Sequence, residues 1–287
     1  MMQPRHERDA IAAMGEVLDP SVLAAVQALY REDQDRLAVD HPAAAADIAY
    51  GSDPRQRLDL YRPRDGETAA RPVLLWVHGG GFLRGEKASP LHPFNAHAGR
   101  WAARHDMVGV VMNYRLAPEH GWPAGGEDVG AALDWLAAHV AAQGGDPARI
   151  VMMGTSAGAA HVATHLQLRG GVSPAAGAVL LSGLYGFAPL DARDTLYFGP
   201  VEGHAERSAA AAMTATALPL LLACSQHDPA RFQAETLGLL AARQARHGRL
   251  PRFFYGSGHN HFSLAYHLGT TDTRLADEIR DFIGDLS

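Results

Sequence analysis

The feature that most constrains the fold is a regular alternation of near-continuous apolar runs with stretches of helical periodicity. The apolar runs contain almost no polar residue that could face solvent. Such runs are typical of strands that are buried on both faces of a parallel sheet. The helical stretches between them predict helices that cover both faces of that sheet. The predicted strands are residues 72–78, 107–114, 149–154, 176–182, 218–225 and 252–255, and the predicted helices are residues 128–140, 157–168, 231–247 and 272–283.

The N-terminal part of the chain has a different pattern. Ser21 is expected to cap a helix whose apolar positions repeat from Val22 to Tyr30. Residues 48–50 and 58–61 alternate in polarity and predict two short strands joined by a turn. Further along, residues 184–216 form the one long stretch without a clear pattern, and long loops inside compact domains are often functional lids.

Composition excludes several classes of protein. The 287 residues carry a net charge of -6, whereas a nucleic-acid-binding surface needs an excess of basic residues. A single cysteine excludes an internal disulfide framework. No apolar run approaches the roughly 18 residues of a membrane-spanning helix, and residues 1–19 lack the apolar region of a secretory signal. We therefore expect a cytoplasmic protein that binds neither nucleic acid nor membrane.

The clearest chemical motif is Gly154-Thr155-Ser156-Ala157-Gly158, which fits the pattern G-x-S-x-G. It lies directly after a predicted strand and before a predicted helix. A serine on such a sharp turn projects its hydroxyl out of the sheet, and the turn is tight enough to require small residues on either side. Ser156 is therefore a candidate nucleophile.

A second motif, His78-Gly79-Gly80-Gly81-Phe82, follows the predicted strand 72–78. Consecutive glycines allow backbone N–H groups to converge on an anion. An oxyanion that forms during attack on a carbonyl needs such donors about 3 Å away. The two motifs together indicate nucleophilic attack on a carbonyl group.

These two motifs resemble those of the hormone-sensitive-lipase-like carboxylesterases of the α/β-hydrolase fold. The stretch between them, residues 113–119 (Asn-Tyr-Arg-Leu-Ala-Pro-Glu), and residues 146–150 are similar to that family as well. The resemblance covers roughly residues 45 to 285 and implies an α/β fold with a mostly parallel eight-stranded sheet between helices. It also implies an oxyanion hole formed by the N–H groups of Gly80, Gly81 and Ala157, and a structural Arg115 paired with Glu127 or Asp128.

The same resemblance divides the chain. We expect residues 1–45 to form an N-terminal helical cap segment and residues 46–287 to form the hydrolase domain. Residues 184–216 are then a cap insertion in that domain.

A serine nucleophile needs a base, and the base needs a carboxylate to orient it. Asp191 and Asp194 lie in the irregular stretch, whereas Asp228 follows a predicted strand and is similar in context to the family's acid. The base must follow the last predicted strand, where His259 and His261 both qualify. His261 is favoured because His261-Phe262 also resembles the arylformamidase and small-esterase group.

Other histidines and the cysteine favour structural roles. His161 and His165 have the i, i+4 spacing of metal ligands, but no glutamate separates them as in H-E-x-x-H and no third ligand is evident. Cys224 lies within an apolar strand and is expected to be a buried small hydrophobe. We expect no metal and no organic cofactor.

The sequence therefore predicts a serine carboxylesterase for small short-chain or aromatic esters, with Ser156, His261 and Asp228 as its triad. Two alternatives stay open: an arylformamidase that cleaves an N-formyl aromatic amine, and a catalytically silent ligand-binding hydrolase fold. A homodimer through the last strand, residues 252–255, is also expected from relatives of this kind. The residues expected to line the substrate pocket are Phe82, Trp122, Tyr185, Phe187, Tyr197, Phe198 and His259.

Overall fold

A computed structural model describes residues 2–64 and 70–286 of the chain. Eight strands form one sheet in the order β1-β2-β4-β3-β5-β6-β7-β8, in which β2 is antiparallel to both its neighbours and the other pairs are parallel. The chain therefore has the predicted α/β-hydrolase fold. The strands are β1 (Ala45–Ala49), β2 (Arg57–Tyr61), β3 (Arg71–Val77), β4 (Val108–Met112), β5 (Gly145–Thr155), β6 (Gly177–Leu181), β7 (Leu220–His227) and β8 (Arg252–Asn260).

Helices cover both faces of the sheet. They are α1 (Arg5–Met14), α2 (Pro20–Asp40), α3 (Ala96–Arg104), α4 (Ala124–His139), α5 (Ala157–Leu168), α6 (Thr195–Phe198), α7 (His204–Arg207), α8 (Ala210–Ala215), α9 (Ala230–His247), α10 (Ser263–Tyr266) and α11 (Arg274–Gly284). None of the helices in the described part of the chain is long and apolar enough to cross a membrane.

The alternation of side chains along the central strands divides the core into two layers. On β3, the side chains of Val73, Leu75 and Val77 pack toward α4, α5, α8 and α9. The intervening Leu74 and Trp76 pack toward α3 and α11. Because β3 is buried on both faces, its sequence is a continuous apolar run rather than an alternating one.

The N-terminal helices differ in detail from the prediction. Asp19, not Ser21, is the N-cap of α2, and its carboxylate accepts a hydrogen bond from the Ser21 backbone N–H at 2.7 Å. Pro20 occupies the first turn, where its missing N–H costs nothing. The predicted cap was therefore wrong by two residues, although the helix itself is present.

The last strand is longer than predicted. β8 continues past Tyr255 to Asn260, after an irregularity in its pairing with β7 between Ser225 and His227. β8 is an edge of the sheet, and the side chains of Phe253 and Tyr255 on it are exposed. Helix α1 packs against this strand.

Candidate active site

The Ser156 turn connects β5 to α5 in a backbone conformation that fits only small neighbours. Ser156 has φ 54° and ψ -119°, and its N–H donates to the carbonyl oxygen of Leu181 at 2.9 Å. A Cβ atom on Gly158 would lie 2.0 Å from the Val77 carbonyl oxygen, and one on Gly154 would lie 2.6 Å from the Gly158 backbone. The two glycines of the motif are therefore required by close contact between β3, β5 and the start of α5.

Two of the residues predicted to act with Ser156 are hydrogen-bonded to each other. His261 donates from Nδ1 to Oδ1 of Asp228 at 2.7 Å, and both side chains are buried. The other carboxylate oxygen of Asp228 accepts from the Ser182 hydroxyl and the Ser225 N–H, each at 2.6 Å. This arrangement orients the His261 ring, and in the tautomer that carries its proton on Nδ1 the Nε2 atom is the acceptor that a general base requires.

Ser156 and His261 line the same cavity, which has a volume of about 430 Å³. The His261 ring packs against Phe232, with 4.3 Å between the ring centroids. The walls include Leu18, Leu23 and Gln27 from the N-terminal part of the chain, and Leu184, Arg193 and Asp194 from the 184–216 stretch. Segments that are distant in sequence therefore meet above Ser156.

His259, the alternative candidate base, points away from this cavity. Its Nε2 donates to Oδ2 of Asp272 at 3.1 Å, and its Nδ1 lies 3.1 Å from Oγ of Ser263. Asp272 is also bound by Arg274, whose Nε and Nη2 donate to its two oxygens. Burial lowers the pKa of His259, although Asp272 favours its charged form. The expectation that His259 lines the pocket is thus contradicted, because its side chain is fully enclosed by this ionic cluster.

The glycine motif forms another wall of the cavity. Gly80 and Gly81 have φ 138° and 61°, and a Cβ atom on Gly80 would lie 1.8 Å from the Arg84 carbonyl oxygen. Phe82 follows with φ 69°. Both glycines and Ala157 line the cavity, and no acceptor within the described chain is found for the backbone N–H of any of the three. Such N–H groups are available to donate to an oxyanion.

Buried contacts hold this loop from behind. The His78 ring is stacked on Tyr114 with 4.3 Å between centroids, and the Tyr114 hydroxyl donates to the His78 carbonyl oxygen at 3.0 Å. Arg115, the next residue, pairs with both of its expected partners: Glu127 at 3.0 Å and the fully buried Asp128 at 2.8 Å. The Arg115 backbone N–H also donates to Asp128. Arg115 does not line the cavity, which agrees with a structural role.

Phe82 lines the cavity, but the other aromatic residues predicted for the pocket do not. Tyr197 stacks on the rear of Phe82, with 4.4 Å between ring centroids, and so belongs to the packing behind the wall. The remaining aromatic residues lie outside this cavity. Trp122 packs against the apolar cluster that contains Phe82 and Tyr197, and Phe187 packs toward α9. Tyr185 and Phe198 line a separate cavity. The wall residues that the sequence did not reveal include Leu18, Arg231, Phe232 and Phe262.

The residues with metal-ligand chemistry are engaged in other contacts. Nδ1 of His161 lies 3.2 Å from the Tyr197 hydroxyl, and Nε2 of His165 lies 3.2 Å from the Ser173 hydroxyl. Cys224 is buried on β7, and burial raises the pKa of its thiol to about 12. Within residues 2–64 and 70–286, a single group of three potential ligands lies within 4.8 Å: His259, His267 and Asp272. Arg274 already supplies the positive charge beside that carboxylate.

Comparison with known proteins also indicates an α/β hydrolase. A family described as "alpha/beta hydrolase fold" matches residues 74–231. Phenmedipham hydrolase of Pseudarthrobacter oxydans is 42% identical over 118 residues, which are 38% of this chain and 22% of that protein. Esterase LipC of Mycobacterium tuberculosis is 40% identical over 111 residues, which are 39% of this chain and 27% of that protein. The matched region thus spans about a quarter of these curated relatives.

A solved structure is similar over the whole chain. The hyperthermophilic esterase from the archaeon Pyrobaculum calidifontis has a TM-score of 0.73 and 24% identity, with 100% of this chain and 99% of that chain covered. At this identity the likeness supports the fold alone. With more than half of the chain matched by one family, and with the motifs of that family in the cavity wall, the chain belongs to the α/β-hydrolase fold family, in the hormone-sensitive-lipase-like branch that its motifs resemble.

Proposed function

We propose that this chain is a serine carboxylesterase that hydrolyses small esters through an acyl-enzyme. The observation that carries the proposal is the shared cavity of Ser156 and His261, in which His261 is oriented by the buried Asp228. The named relatives that the chain matches include esterases, which supports the same reaction type.

In this proposal Ser156 Oγ attacks the ester carbonyl carbon while its proton moves to Nε2 of His261. The N–H groups of Gly80, Gly81 and Ala157 donate to the oxyanion of the tetrahedral intermediate. Collapse of the intermediate breaks the bond to the alcohol oxygen, which takes the proton from His261. Water then attacks the acyl-enzyme with His261 again as base, and the carboxylic acid leaves.

The size of the cavity supports small substrates. Its volume of about 430 Å³ is near the lower end of ligand pockets, which run from roughly 300 to 1,000 Å³. We propose that residues 1–45 and the 184–216 insertion act together as a short cap, since both contribute walls above Ser156. Short acyl chains and compact aromatic esters fit such a site.

The first test compares the wild type with Ser156→Ala on p-nitrophenyl acetate, butyrate and octanoate. We expect the substitution to lower kcat by more than about 10⁴-fold, because the nucleophile and its base act as a unit. In the wild type, kcat/KM should fall from butyrate to octanoate. Ester turnover that survives Ser156→Ala would assign the reaction to another residue.

The alternative of an arylformamidase rests on the sequence His261-Phe262, and Phe262 does line the cavity. It uses the same triad, so the two activities are separated only by substrate. Faster turnover of N-formylkynurenine than of p-nitrophenyl acetate would favour the formamidase. Absence of turnover on every substrate would favour the ligand-binding hydrolase fold.

The homodimer through the last strand is likewise a proposal. It is supported by the position of β8 at an edge of the sheet and by its two exposed aromatic side chains, Phe253 and Tyr255. An unpaired edge offers backbone groups to a second copy. Light scattering after size-exclusion chromatography should give twice the mass of the chain, and Tyr255→Lys should give the monomer.

A further inference from the structure

A second cavity lies beneath the 184–216 insertion and has no role in the reaction as proposed. Its volume is about 530 Å³, comparable with the 430 Å³ of the cavity around Ser156. Its walls are mainly apolar and include Leu184, Tyr185, Leu190, Phe198, Val201 and Ala209. Such a cavity suits an aliphatic chain better than a charged or strongly polar ligand.

Within the described chain, Leu184 is the one residue that lines both cavities. It is buried, and it packs in an apolar cluster that also contains Phe82, Ala157 and Phe232 from the walls around Ser156. The Leu184 side chain therefore forms a partition between Ser156 and the second cavity.

The rest of the partition is a short helical segment, residues 191–198. Arg193 and Asp194 face the Ser156 cavity, whereas Ala192 and Thr195 face the second cavity. Arg231, at the start of α9, pairs with Asp194 at 2.8 Å and also with Asp191. These ion pairs hold the segment in place. Leu184 is the part of the partition that a substitution can remove without breaking an ionic contact.

We propose that Leu184 limits the chain length of the ester substrate, because its side chain separates Ser156 from the second cavity, which would accept the aliphatic chain once that side chain is removed. This inference rests on the proposed esterase function. The chain could belong to the acyl group or to the alcohol, since both are aliphatic and both extend from the reacting carbonyl. The two sources are separated by the substrates below.

The experiment measures kcat/KM of the wild type and of Leu184→Ala on two series of esters. The first series is p-nitrophenyl acetate, butyrate, octanoate and decanoate; the second is the acetates of 1-butanol, 1-octanol and 1-decanol. Each methylene that moves from water into the opened cavity is worth about fourfold, the equivalent of about 0.8 kcal/mol. We expect Leu184→Ala to raise the ratio of eight-carbon to four-carbon substrates at least tenfold in one series, and that series identifies the group that enters.

Three further variants show where any effect originates. Leu190→Ala removes the same side-chain volume from the second cavity only and should leave the ratio unchanged. Leu184→Ala combined with Ala209→Phe, at a buried wall residue of the second cavity, takes up part of that space and should diminish the gain. Leu184→Phe thickens the partition and should lower the ratio below that of the wild type.

The outcomes separate this inference from the proposed function. If the wild type hydrolyses short esters but Leu184→Ala leaves the ratio unchanged in both series, the partition role is wrong. Absence of ester turnover in the wild type as well would overturn the proposed function itself. Thermal unfolding is measured for each variant, and Leu184→Val replaces Leu184→Ala if the larger cavity prevents folding, with a smaller increase expected in the same direction.

Discussion

At the scale of single residues, the environment of Asp228 is the most specific feature of the site. The side chain is fully buried, and its carboxylate accepts hydrogen bonds from His261, Ser182 and the Ser225 N–H. A buried carboxylate is tolerated when its oxygens are satisfied in this way. The resulting orientation of His261 is fixed before any substrate binds.

The replacement Asp228→Asn tests this role. The amide preserves the shape of the side chain but can present an N–H to His261, which favours the wrong tautomer of the imidazole. We expect kcat for p-nitrophenyl butyrate to fall by about 10³ to 10⁴-fold with little change in KM. Ser182→Ala, which removes one of the three hydrogen bonds, should cost about tenfold. A variant Asp228→Asn that retains more than a tenth of the wild-type kcat would contradict the proposed role.

The sequence selected Asp228 and His261 as partners, but it left the choice between His261 and His259 open for a physical reason. Each of these histidines has its own aspartate in the fold, Asp228 or Asp272, and both pairs are buried. Which histidine faces Ser156 depends on how the chain turns after β8. That turn is stabilised by reciprocal hydrogen bonds between Asn260 and Ser263, which no local pattern reveals.

At the scale of secondary-structure elements, the connection from β5 to α5 packs closely against β3. The predicted limits of α5 agree with the structure because the glycine-rich turn before it and the apolar periodicity within it are both strong signals. In contrast, no pattern in the sequence predicted α3. Gly99 lies in its middle and lowers helix propensity, yet Gly99 and Gly109 let α3 approach β4 closely.

The close packing at Gly158 leads to a prediction about stability. In Gly158→Ala the new methyl group would lie 2.0 Å from the Val77 carbonyl oxygen, so that β3 and α5 must separate. We expect the free energy of unfolding to fall by about 3 kcal/mol, as for an overpacked core. Gly284→Ala is the matched control, because its Cβ atom would meet no described atom within 4 Å beyond its chain neighbours and the backbone of its own helix. Equal urea midpoints for the two variants would show that the contact at Gly158 relaxes without cost.

At the scale of the whole molecule, the interior contains four fully buried histidines: His78, His97, His161 and His267. Burial lowers the pKa of His78 and His97 to about 4 and the pKa of His161 and His267 to about 3, and all four side chains are fully buried. The physical consequence of these histidines is a dependence of stability on pH. The number of histidines in the sequence does not reveal this dependence, because exposed histidines keep their ordinary pKa and do not change stability in this way.

The sign of this dependence follows from the lowered pKa values. Between about pH 6.5 and pH 4 the unfolded chain binds protons at these histidines and the folded chain does not, so stability is lost as the pH falls through this range. Each histidine then costs roughly 2 kcal/mol at pH 5 relative to pH 7. Four such groups together cost roughly 8 kcal/mol, which lies within the roughly 5–15 kcal/mol that stabilises a typical protein, and we expect unfolding between about pH 6 and pH 4.

Thermal unfolding followed by circular dichroism from about pH 7.5 to about pH 4.5 measures this effect. The Tm should fall steeply below about pH 6.5, the ordinary pKa of histidine, and the fall should be shallower for His97→Gln, which removes one of the buried titrating groups. A Tm that stays constant down to about pH 5 would contradict the assignment of neutral histidines to the interior.

The turn at Ser156 has a consequence for how this chain balances folding against reactivity. Its positive φ is a conformation that costs a residue other than glycine about 1–3 kcal/mol. Glycine would adopt the same turn without that cost, but it has no hydroxyl to offer a substrate. At position 156, glycine would therefore give the more stable fold and serine gives the reactive one. Selection for heat resistance alone would remove the side chain on which the proposed chemistry depends.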